Sequence, residues 1–274
     1  MRQITAEQKI YFTLRLATAM CFIGHGAFGV ITKQIWCNYF AVFGIGEHLA
    51  YQLMPPLGIV DIVMGLCILF YPVRGLFIWL VIWGAITAFL RPLSGEPLAE
   101  VFERAGNYGA PLAMLALTSQ TIFSSKGLLQ PVTPYIAHDA DRMKRVQWIL
   151  RIVVFFLIAG HGWLNLLQKQ ALLDQYTYLG FSHPAYVAKT IGTLEVLAAF
   201  SVLIKPWAPF ILILFAWKMF SESFYLHYGV FEWIERGGSY GSILALWFMM
   251  SSRFSLPDFI SRRKRMATGT TLFV

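Results

Sequence analysis

Charged residues are scarce. They make up 13% of the chain, where a soluble domain carries about 25%. With hydrophobic residues at 57%, the chain has too little polar surface to face water all round, and it reads as an integral membrane protein. Cysteine is scarce too. Cys21, Cys37 and Cys67 are far apart and form no C-x-x-C, which excludes a disulfide framework and a dithiol redox pair. The N-terminal charges are not followed by a short apolar stretch with a small-residue cleavage site. The first apolar run continues to Ile31, so a retained helix is expected in place of a signal peptide. The net charge of +8 fits basic cytoplasmic loops and anionic lipid, and no nucleic-acid partner is expected.

What is present is a duplication. Arg15, Gly24, His25, Gly26, Lys33 and Gln34 recur at identical spacing as Arg151, Gly160, His161, Gly162, Lys169 and Gln170. The match continues in order. Gly58-Ile59-Val60-Asp61 aligns with Gly192-Thr193-Leu194-Glu195, and Pro72 with Pro206. Glu103-Arg104-Ala105-Gly106 aligns with Glu235-Arg236-Gly237-Gly238.

Apolar runs predict eight spans in an all-α fold: Leu14–Ile31, Leu57–Tyr71, Gly75–Leu90, Tyr108–Phe123, Trp148–Leu167, Thr190–Ile204, Ala208–Ser223 and Tyr240–Ser251. The second and sixth are short enough to start earlier. Pro55-Pro56, Pro72, Pro92, Pro206 and Pro209 are read as marking helix ends. With the N-terminus inside, fifteen of the Lys and Arg residues fall inside and six outside (Lys33, Arg91, Arg104, Lys169, Lys189 and Arg236). The expectation is two parallel four-helix repeats with both termini cytoplasmic. Residues 1–123 form the first repeat, 124–147 a cytoplasmic connector and 148–252 the second repeat. Residues 253–274 form a basic tail, loosely ordered against the inner leaflet.

Ionisable groups at membrane depth cost about 2.5–3.5 kcal/mol on insertion scales and face a partner or a cavity. His25 and Asp61 fall at similar depth in the outer third, and His161 and Glu195 repeat the arrangement. These four are the candidate reacting groups. The competing reading is that a histidine between glycines only bonds a neighbouring helix where close packing is possible. Arg104 and Arg236 are candidate outer-rim ligand contacts, while Glu103 and Glu235 read as caps of the helices that follow. Arg91 and Glu222, also candidate ligand-binding residues, occupy nearly equivalent repeat positions. Either they pair across the halves or Glu222 pairs with Lys218 four residues before it. The Lys218–Glu222 pair pointed to the second half as the seat of any single active centre. Trp36, Trp148, Trp163, Trp207 and Trp233 read as interface or packing aromatics.

The Arg–helix–His-Gly start, followed by Gly-x-x-acid at the next span, resembles the DoxX-like four-helix membrane family. The likeness covers each half, as in two fused modules. It implies association with membrane redox systems such as thiosulfate:quinone oxidoreduction, with His25, His161, Asp61 and Glu195 as the matching positions. The chain departs from the pattern where a basic residue is expected soon after His-Gly, since Lys33 and Lys169 come later. The leading expectation is a quinone-linked redox subunit of a bacterial inner membrane, contacting membrane lipids and other redox subunits. The alternatives are a transporter of small solutes or lipid built on a parallel repeat, and a non-catalytic anchor subunit. The sequence leaves the cofactor unknown, with quinone as a candidate; no metal is expected, and a b-type haem held by His25 and His161 is a lesser alternative.

Overall fold

The computed structural model describes residues 4–119, 127–134 and 139–251. Twelve α-helices carry the described chain: α1 Ala6–Val30, α2 Trp36–Ala41, α3 Glu47–Phe70, α4 Arg74–Leu93, α5 Ala99–Glu103, α6 Ala105–Thr118, α7 Ala140–Leu166, α8 Gln170–Tyr178, α9 Pro184–Ile204, α10 Ala208–Ser223, α11 Val230–Glu235 and α12 Gly237–Ser251. A 3-10 turn, Phe224–Tyr228, follows α10. No strand occurs among the described residues, only an isolated bridge between Val73 and Pro131.

Five segments are long and apolar enough to cross a membrane: α3, α4, α7, α9, and α10 with its 3-10 extension. Their outer faces agree. Ile59, Val60, Val63 and Leu66 of α3, Leu194, Leu197 and Phe200 of α9, and Ile213 and Phe220 of α10 are all exposed. Apolar faces of this extent fit a lipid surround and would make a soluble monomer aggregate. The fold is that of an all-helical membrane protein.

Both long inner helices begin and end for local reasons. Thr5 and Gln8 form a capping box at the start of α1, and the Asp139 carboxylate caps α7. Thr32 and Gln168 then take the same left-handed conformation, φ 55°. The next amide closes each turn, Lys33 N to Phe28 O at 3.2 Å and Lys169 N to Leu164 O at 3.1 Å. At the other end, Arg15 donates to Ile68 O at 2.9 Å and to Leu69 O, covering the last carbonyls of α3. Arg151 does the same to Val202 O at 3.3 Å and to Leu203 O at the end of α9. The duplicated arginine is thus a C-terminal cap for a neighbouring helix.

The main core is drawn from α1, α6, α7 and α12, joined by inward residues of α3, α4, α9 and α10. α1 packs on α3 and α12, α7 on α9 and α6, α4 on α6, and α10 on α12. Two short helices cross between the halves: α5 packs on α7, and α11 on α1.

One expectation is corrected. Pro55 and Pro56 do not end a helix; they lie inside α3, whereas Pro92 sits in the last turn of α4, next to its end at Leu93. Membrane helices tolerate proline because neighbouring groups satisfy the freed carbonyls. α3 starts at Glu47 and α9 at Pro184, ahead of the apolar runs, as the shortness of the second and sixth runs allows. Within the connector region 124–147, α7 begins at Ala140, and Arg74 N donates to Gln130 O at 3.2 Å. The basic tail lies outside the described residues.

Candidate functional site

The glycines flanking each histidine are explained by backbone contact. A methyl on Gly24 would strike the backbone of Glu235, and one on Gly160 the backbone of Glu103. Each half therefore receives the Glu-Arg segment of the other. On the opposite side, Gly26 meets Gly58 and Gly162 meets Gly192. That close approach sets α1 on α3, and α7 on α9, at a distance where a histidine reaches an acid.

The histidines meet the predicted acids. His25 Nδ1 stands 2.7 Å from Asp61 Oδ2, and His161 Nδ1 stands 2.7 Å from Glu195 Oε2. A residue that sequence reasoning passed over completes each pair. Trp83 donates Nε1–H to Asp61 Oδ1 at 2.9 Å, and Trp217 donates to Glu195 Oε1 at 3.0 Å. Each tryptophan follows its acid by 22 residues, and that shared spacing was the available signal. An indole N–H only donates, so each carboxylate is held in place by its second oxygen.

The two centres differ in what surrounds the pair. In the first, a cavity of about 170 Å³ opens beside His25 and Asp61. Its walls are Trp36, Tyr39, Phe40, Phe43, Ile45, Leu57, Trp83, Thr87 and Leu90, with Arg91, Arg104, Asn107 and Glu235 as further polar groups. Trp36 lies over the His25 ring, centroids 4.7 Å apart, and forms a wall of the site. In the second, His161 and Glu195 are buried and Asn165 joins them, 3.2 Å from Glu195 Oε2. Tyr176 donates to Asn165 Oδ1 at 2.8 Å. Lys218 and Glu222 are each 1% exposed there. In register with Trp83 and Trp217, they replace Gly84 and Ala88 of α4. The buried Lys218–Glu222 pair belongs to the second half, while the cavity beside His25 and Asp61 lies in the first.

Arg91 and Glu222 do not pair. Arg91 lies 3.4 Å from Glu96 and 3.8 Å from Glu100. Glu222 pairs with Lys218 on its own helix and with Arg236 at 2.5 Å. Both rim arginines are neutralised. Arg104 bonds Glu100 and Glu103, the latter at 2.7 Å, and Arg236 also lies 3.4 Å from Glu232. Glu103 does not cap α6 through its side chain, because the N-cap is Arg104 with no side-chain bond. Glu235 accepts from Asn107 Nδ2 at 3.3 Å and faces the first cavity. The duplicated lysines close the exchange: Lys33 pairs with Glu232, and Lys169 with Glu100.

His25 lines the cavity and His161 is not among its lining residues; each histidine is paired with its own acid. Compared with protein-family models, with curated proteins and with solved structures, the chain matches none of them.

Proposed function

We propose that the protein is a DoxX-like membrane subunit of a quinone-linked redox system, and that the first-half cavity receives the quinone ring. One observation carries the reading: an aromatic-walled cavity whose polar end is a hydrogen-bonded His25–Asp61 pair. About 150 Å³ takes a benzene ring, so a cavity of about 170 Å³ suits a single substituted ring. The charges that line it are two arginines and two carboxylates besides the histidine, each arginine being paired with glutamate. This balance favours a neutral ligand. Phe43 on the cavity wall is 64% exposed, which leaves an apolar rim for the tail of a lipid-dissolved molecule. With Asp61 accepting from Nδ1–H, Nε2 is left for the ligand, accepting from a hydroxyl when the ring is neutral and donating to a carbonyl oxygen when it is protonated.

The architecture belongs to the same proposal: eight spans in two parallel four-helix repeats, both termini cytoplasmic, in a bacterial inner membrane, with redox subunits as partners. The duplicated caps, histidine–acid pairs and cross-half lysine pairs support it, as does the inside excess of Lys and Arg.

Titration of the detergent-purified protein with a short-tailed benzoquinone tests the reading. Quenching of Trp36 and Trp83 reports occupancy. Saturable quenching that weakens at least roughly tenfold on Asp61→Asn is expected, since a hydrogen bond to a charged group contributes about 1.5–3 kcal/mol. Unsaturable quenching alike in both proteins contradicts it.

A further inference from the structure

We infer that Glu235, contributed by the second half to the first-half cavity, makes that cavity prefer a hydroquinone to its oxidised quinone. The inference rests on the quinone reading and adds a specificity determinant to it. Glu235 is 8% exposed and lines the cavity together with His25. Its backbone lies against Gly24, the residue before His25. One carboxylate oxygen accepts from Asn107 at 3.3 Å and the other lies 3.7 Å from Arg236. Burial works to raise the Glu235 carboxyl, but Arg236, Arg104, His25 and Arg91 together bring it below the usual carboxylate range. It is therefore ionised at neutral pH.

An ionised carboxylate only accepts hydrogen bonds. It bonds the hydroxyl of a hydroquinone and repels the carbonyl oxygen of a quinone. Imidazole has no such bias, because it accepts from a hydroxyl when neutral and donates to a carbonyl when protonated. A ring held between His25 and Glu235 thus meets one group indifferent to its redox state and one that selects the reduced form. Charge-assisted hydrogen bonds are about twice as strong as neutral ones, and a preference of roughly tenfold is expected.

The test is anaerobic binding of duroquinone and of durohydroquinone to the full-length protein, read by tryptophan quenching. Wild type is expected to bind the hydroquinone roughly tenfold more tightly. Glu235→Gln, whose amide both donates and accepts, is expected to bind both forms with similar affinity. Glu235→Asp keeps the charge beside Arg236 and is expected to retain part of the preference, which separates loss of charge from misfolding. Equal binding of both forms by wild type overturns this inference and leaves the quinone reading standing. A preference that survives Glu235→Gln overturns it likewise. Binding of neither form overturns the quinone reading itself, and the inference with it.

Discussion

Trp83 Nε1 stands 2.9 Å from Asp61 Oδ1, and this bond decides how the acid is presented. The carboxylate has one oxygen pinned by α4, so the other is aimed at His25 Nδ1 at 2.7 Å. α1, α3 and α4 are thereby joined through one acid at the polar end of the cavity. Trp217 and Glu195 build the same junction in the second half.

Trp83→Phe keeps an aromatic side chain, smaller than the indole, and removes the donor. The acid loses its orientation while much of the aromatic packing remains. Quinone affinity is expected to fall roughly tenfold, in line with about 1.5 kcal/mol for a hydrogen bond to a charged acceptor. Quenching through Trp36 measures it, with the thermal transition within a few degrees of wild type.

Gly24→Ala puts a methyl into the Glu235 backbone. Overpacking of this kind costs about 1–3 kcal/mol, and a lowered thermal midpoint is expected. Gly46→Ala is the control, because nothing lies within 4 Å of an added Cβ there and its φ is an ordinary −70°. A fluorescence-monitored melt of both variants checks the contrast.

Lys169→Met removes a cation that faces Glu100, a carboxylate with 0% exposure. The remaining partners, Arg104 and Arg91, must then carry the buried charge alone. A clear drop in thermal midpoint is expected. Lys144→Met, which loses only an exposed pair with Asp141 at 3.5 Å, is expected to change nothing measurable.

Glu96 lies in the turn between α4 and α5. Its burial works to raise the carboxyl, but Arg91, the Tyr39 hydroxyl, Lys169 and Arg104 together hold it below the ordinary value of 4.5. Because the folded value is the lower one, the stability it contributes is fully present above the unfolded value. That contribution is lost as pH falls through the folded value. Thermal midpoints are therefore expected to be flat near neutral pH and to fall in acid. In Glu96→Gln part of that acid slope disappears, which a pH series of melts measures.

Much of this was legible in the sequence, and the rest was not for physical reasons. A histidine and an acid at matched depth in adjacent apolar helices have few partners, so the His25–Asp61 and His161–Glu195 pairs could be read from spacing. The prolines misled because a Pro55-Pro56 pair ends a helix in water yet is carried within α3. The role of Glu235 was hidden because its Glu-Arg segment packs on the other half, a tertiary exchange that no local pattern encodes. The site of the cavity was hidden too. It is lined by residues of α1, α2, α3, α4, α6 and α11, elements that no local pattern brings together.

The most direct test compares His25→Ala with His161→Ala in one short-tailed benzoquinone titration. The account predicts that His161→Ala binds the quinone as wild type does, while His25→Ala weakens binding at least roughly tenfold. Binding lost in His161→Ala and kept in His25→Ala would contradict it.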